Sequence, residues 1–83
     1  MDGDVRVRVG RALRRHRLAK GLSQEEFADL CGLDRTYISG IERGLRNPTV
    51  VVLERMATVL GIPSTAFLEV GIDDDPTLVR SGN

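Results

Sequence analysis

Tryptophan is absent from this 83-residue chain, and its other aromatic residues are two Phe and one Tyr. The core must therefore be built from Val, Leu, Ile, Ala and Met, a set that suits small packed helices. Cysteine occurs once, as Cys31, which excludes an internal disulfide. Histidine also occurs once, as His16, so neither a zinc site nor a His-based catalytic centre has a second imidazole to draw on. No apolar run at the N-terminus resembles a signal peptide, and none anywhere is long enough to span a bilayer. The expected location is the cytoplasm, with no membrane partner. A chain of this length supports one domain.

The formal net charge is zero, but the charges are unevenly spread. Residues 5–46 carry +5, residues 47–83 carry −3, and residues 1–4 carry −2. Affinity for nucleic acid depends on how charge is distributed rather than on its sum. The basic residues of the first helix are open to two readings, an electrostatic footprint for a polyanion or an ordinary solvated face.

Glycines and capping residues divide the chain into helices. Helix 1 is expected from about Asp4 to Lys20, ended by Gly21 after a basic last turn. Val5-Arg6-Val7-Arg8-Val9 alternates with period two, a strand signal. The helical spacing of Val9, Leu13 and His16, and the lack of a partner strand, favour helix; Gly10 weakens its first turns. Ser23-Gln24-Glu25-Glu26 has capping-box spacing and opens helix 2, which ends near Cys31 with Gly32 turning the chain. Asp34 caps helix 3, which runs to about Arg43 and stops at Gly44. Thr49 caps helix 4, which ends before Gly61. Ser64 or Thr65 caps a short helix 5 through Phe67 and Leu68. Residues 73–83 form an acidic tail without periodicity, leaving residues 1–72 as the folded domain. The fold class is all-α.

Helices 2 and 3 carry the most informative pattern. Two helices that meet steeply across a short turn need small residues at the contact. Ala28, then Gly32 at the turn, then Ile38 and Ile41 packing back on Phe27 and Leu33, meet that need; an ordinary helical hairpin is the bland alternative. With Ile38 and Ile41 inward, Arg35, Thr36, Ser39 and Arg43 face outward. Arg pairs with guanine O6 and N7, Ser and Thr bond base edges or phosphate, and a Thr methyl meets thymine's methyl. These four are the candidate base-contacting residues, with Arg35 and Thr36 nearest the end of the helix that enters the groove. Tyr37 either lies against the sugar-phosphate backbone or is a partly exposed packing residue. Arg46 and Asn47 are candidate phosphate ligands in the following loop. Gln24, at the anion-attracting start of helix 2, is a candidate phosphate ligand or a plain exposed residue. Gly40 offers the DNA-facing side no side chain.

The segment from Leu22-Ser23-Gln24 to Arg46-Asn47-Pro48-Thr49 resembles the phage-repressor-like helix-turn-helix family, the Cro/C1 or XRE type, over about residues 9–68. The resemblance implies a five-helix domain with its helix-turn-helix at about residues 24–43, binding double-stranded operator DNA, commonly as a homodimer. It implies a phosphate contact from Gln24 and base contacts from Arg35, Thr36, Ser39 and Arg43. It also implies a structural ion pair between Arg17 and Glu42, which argues against Arg17 as a DNA ligand. Within the family, the run from Leu33 to Arg43 is similar to restriction–modification controller proteins.

In helix 4, Leu53, Met56, Ala57 and Leu60 form one apolar stripe. Further valines are left over, and Ile62, Phe67, Leu68, Val70 and Ile72 add more apolar surface. Val51, Val52, Val59 and Phe67 are the expected dimer interface. A dimer presents two recognition helices about one DNA turn, roughly 34 Å, apart and selects a pseudo-palindrome. His16 reads as a boundary histidine and Cys31 as a small core thiol rather than a redox sensor. Ser39 has no local general base, so hydrolase chemistry has no support. The expectation is a transcriptional regulator, not an enzyme, with no metal, cofactor or small-molecule ligand. The rival is an antitoxin-like or other protein-interaction module that also binds DNA.

Overall fold

Four capped helices are punctuated by glycines, and the caps explain where each begins. The computed structural model describes residues 4–69; the acidic tail, Val70 and Ile72 lie outside them. Helix α1 spans Val5–Ala19, and the Asp4 carboxylate accepts the Arg6 N–H at 2.9 Å as its N-cap. Helix α2, Gln24–Cys31, starts with both arms of a capping box. Ser23 Oγ accepts from the Glu26 N–H at 3.0 Å, and Glu26 Oε1 accepts from the Ser23 N–H at 2.8 Å. Helix α3, Arg35–Glu42, is capped by Asp34, and helix α4, Val50–Leu60, by Thr49. Gly32, with φ 69°, makes the turn between α2 and α3.

The fifth element is a 3₁₀ helix, Ser64–Leu68, and not an α-helix. Its N-cap is Pro63, without a side-chain hydrogen bond, so neither Ser64 nor Thr65 caps it as the sequence suggested. The all-helical fold among the described residues is therefore four α-helices and one 3₁₀ turn. None of these helices is long and apolar enough to cross a membrane.

The helices close around one core. Helix α1 packs on α3 and on the 3₁₀ helix, while α2 packs on α3 and α4. Leu13, Phe27, Ile38, Ile41, Met56, Leu60 and Phe67 are fully enclosed there. Phe67 is 0% exposed, which removes it from the expected dimer surface. The 3₁₀ turn carries its ring inward against α1 and α4, because a short closing element must fill the core's open end. Leu53 is half-buried beside Met56, Ala57 and Leu60. His16 is half-buried.

The alternating valines at the start of α1 belong to a helix because α1 must meet the end of α3 along one stripe. Val9, Gly10, Ala12, Leu13 and Arg17 are the buried residues of that stripe. Gly10 is a contact residue and not a weak point. A Cβ placed on it would run into the carbonyl oxygens of Ile41 and Glu42, the latter at 2.8 Å. Gly10→Ala should therefore destabilise the fold by about 1–3 kcal/mol, although Ala is the better helix former. Urea denaturation of the two proteins checks this. An unchanged or higher midpoint in the variant would show that α1 and α3 can separate freely.

Burial raises the Cys31 thiol to about 11, with nearby Arg55 opposing the shift more weakly. The residue is 3% exposed, so the neutral thiol behaves as a small apolar side chain. Because the folded-state value lies above the unfolded one, near 9, the unfolded chain loses this proton first. Stability linked to Cys31 is complete below about pH 9 and is lost as pH rises towards about 11. Urea midpoints measured from pH 8 to 11 should fall more steeply for the wild type than for Cys31→Ala. Equal slopes would mean that the thiol titrates normally in the folded chain.

Candidate nucleic-acid interface

The site is built on α3, and the first requirement is that α3 be held rigidly. Glu42, its last residue, is buried with Arg17 of α1, their side chains being 2% and 6% exposed. Arg17 Nε donates to Glu42 Oε2 at 2.6 Å, and a second guanidinium nitrogen donates to Oε1 at 3.0 Å. The remaining terminal nitrogen of Arg17 donates to the Leu22 carbonyl at 2.6 Å. Gln24 Nε2 adds a third donor to the carboxylate, reaching Oε1 at 3.0 Å. This bidentate arrangement ties the end of α3 to α1, to the α1–α2 loop and to the start of α2.

Gln24 is thus half-buried and engaged by Glu42. Its amide nitrogen has a second hydrogen, the one still available to a phosphate.

The opposite face of α3 is open. Arg35, Thr36 and Arg43 are exposed and Ser39 is half-buried. Among the described residues no carboxylate forms an ion pair with Arg35, Arg43 or Arg46. Thr36 is less free than its exposure suggests. Its hydroxyl donates to Asp34 Oδ1 at 2.6 Å, and its backbone N–H donates to the same oxygen at 2.8 Å. These two bonds, the hydroxyl's first, hold the Asp34 carboxyl below the usual carboxylate range. The Thr36 methyl and the oxygen lone pairs remain for a base edge.

Tyr37 is half-buried and packs against the core, while Arg46 and Asn47 are exposed in the loop after α3. The Arg46 guanidinium carbon sits 5.8 Å from the centroid of the Tyr37 ring. Gly40 is not on the open face: it is buried, and the Arg46 stem lies over it. The helical spacing places Gly40 on α3 correctly but gives no sign of the loop that covers it.

The α2–turn–α3 unit sits centrally within residues 13–67, the span that matches the model of the family described as "Helix-turn-helix". The chain belongs to that family. Its XRE-type members are DNA-binding transcriptional regulators. A hypothetical transcription factor of Neisseria meningitidis is 43% identical over 67 residues, which are 81% of this chain and 63% of that protein. The restriction–modification controller protein C.AhdI from Aeromonas hydrophila is similar in structure, with a TM-score of 0.72 and 48% identity. That match covers 75% of this chain and 94% of C.AhdI. SinR, the master regulator for biofilm formation, crystallised in complex with DNA, gives a TM-score of 0.71 at 34% identity. It covers 74% of this chain and 98% of the SinR chain.

The Arg17–Glu42 pair has a measurable consequence. Glu42→Ala leaves a buried guanidinium without its counter-charge and should destabilise the fold by about 3–5 kcal/mol. Arg17→Met combined with Glu42→Leu removes both charges and should recover most of that loss. Urea denaturation of the single and double variants checks both. A single variant within about 0.5 kcal/mol of wild type, the level of an ordinary surface substitution, would mean that the pair does not secure α3.

Proposed function

We propose that this chain is a sequence-specific transcriptional regulator that binds a pseudo-palindromic operator as a homodimer. The observation that carries the reading is the open face of α3. It presents Arg35, Thr36 and Arg43 to solvent, with Ser39 half-buried between them, on a helix locked at its far end by the Arg17–Glu42 pair. A helix anchored in this way can enter the major groove without reorganising, and its exposed arginines have the donors to read guanine. Gln24, Tyr37, Arg46 and Asn47 flank that face and supply phosphate contacts that set its register. Similarity to controller proteins and to SinR, whose structure includes DNA, agrees with this role.

The dimer surface in this proposal is α4. Val50 and Val51 are 79% and 64% exposed, and Val52 and Val59 are half-buried, each packed in part against the core. Leu68, at the end of the 3₁₀ turn, is also exposed. Val51, Val52 and Val59 form the proposed contact. A symmetric pairing through them would set two α3 helices on one side of the DNA, about one helical turn apart. The regulator would act in the cytoplasm, wherever its operator lies.

Selection of bound duplexes from a random DNA pool tests the reading. The wild type should enrich a two-fold symmetric motif. Arg35→Ala should bind that motif more weakly by about 1–3 kcal/mol and lose preference at one base position in each half-site. Failure of the wild type to enrich any motif would overturn sequence-specific recognition. A variant that discriminates as the wild type does would remove Arg35 from the base-reading set.

A further inference from the structure

Gly40 has no side chain, yet the structure gives its bare Cα a use. An ideal Cβ built there would lie 2.6 Å from Arg46 Cγ and 3.6 Å from both Cδ and Nε. The Arg46 stem therefore occupies the space a methyl group would fill. The backbone holds it there: the Leu45 and Arg46 N–H groups both donate to the Gly40 carbonyl, at 2.9 and 3.2 Å. Gly44, with φ 75°, is the turn that brings the loop back over α3.

This contact is hard to relieve. Cγ is the second carbon of the Arg46 side chain, close to a backbone pinned by hydrogen bonds, so movement of the flexible tip cannot make room. An added methyl group forces Arg46 into another χ1 rotamer or pulls the loop off α3. The far end of the same side chain lies over Tyr37, within cation–π range. Tyr37 and Gly40 are three residues apart, on one face of the helix.

We propose that Gly40 is a positioning residue, which seats the Arg46 stem across α3 and so holds the guanidinium beside Tyr37 as a preformed ligand for a DNA backbone phosphate. The proposal rests on the DNA-binding reading. Fixing a long, flexible side chain in the free protein removes an ordering cost that binding would otherwise carry.

Tyr37 is the only tyrosine and the chain has no tryptophan, so near-ultraviolet circular dichroism and fluorescence of the free protein report on Tyr37 with no contribution from other such side chains. Gly40→Ala should change both signals as Arg46→Ala does, and the double variant should change them no further. On a duplex the wild type binds, Gly40→Ala should lower affinity about tenfold and reduce the salt slope by about one, as loss of one phosphate contact does. The double variant should bind like Arg46→Ala alone, and should melt no lower than it, because Ala is the better helix former. A wild-type tyrosine spectrum in Gly40→Ala, unchanged DNA affinity, or losses that add in the double variant would each overturn the proposal. So would a double variant that fails to fold while Arg46→Ala folds, since Gly40 would then serve packing alone. If the wild type binds no DNA at all, the proposed function falls and the phosphate role with it. The tyrosine spectra then still decide whether Gly40 seats Arg46.

Discussion

The buried pair between Arg17 and Glu42 is the constraint on which the rest of the arrangement depends. A single carboxylate accepts three hydrogen bonds from two residues that lie in different helices. A fourth bond, from Arg17 to the Leu22 carbonyl, ties in the loop between those helices. Charges this well enclosed contribute little net stability compared with apolar replacements, but they are strongly directional. They fix where the end of α3 lies relative to α1 and to the start of α2. The apolar contacts of Ile38 and Ile41 with the core hold α3 inward without specifying that end.

Gly10 and Gly40 serve this geometry at two different contacts of α3. Gly10 lets α1 approach so closely that its Cα faces the carbonyl oxygens of Ile41 and Glu42. Gly40 leaves the space filled by the Arg46 stem. Neither requires the left-handed backbone that glycine commonly supplies; both are matters of volume. Gly10 secures the position of the helix, and Gly40 allows the returning loop to lie flat on it. The exposed arginines of α3 are thus displayed on an element that its neighbours clamp at one end and along one side.

Much of the fold was legible because caps act locally. The Ser23–Glu26 capping box, the Asp34 and Thr49 caps and the stops at Gly32 and Gly61 depend on hydrogen bonds spanning a few residues, so spacing alone reveals them. The 3₁₀ helix was less legible. Ser64 and Thr65 look like N-caps, but Pro63 holds that position and the tighter turn carries Phe67 into the core. The burial of Phe67 is hard to read from sequence for a related reason. Apolar character distinguishes residues that leave water, but it does not say whether the same chain or another copy covers them.

Caps and periodicity already specify helices throughout the described residues, where the first four begin and end, and that Arg35, Thr36 and Arg43 fall on the side of α3 away from Ile38 and Ile41. Those properties follow from hydrogen bonds and periodicity within a few residues. Packing between elements decided that Gly40 lies beneath Arg46, that the Gln24 amide already has a partner in Glu42, and that Phe67 closes the core. Each of these depends on groups brought together by packing and backbone turns. No periodicity within one helix records which atoms will fill the space beside it.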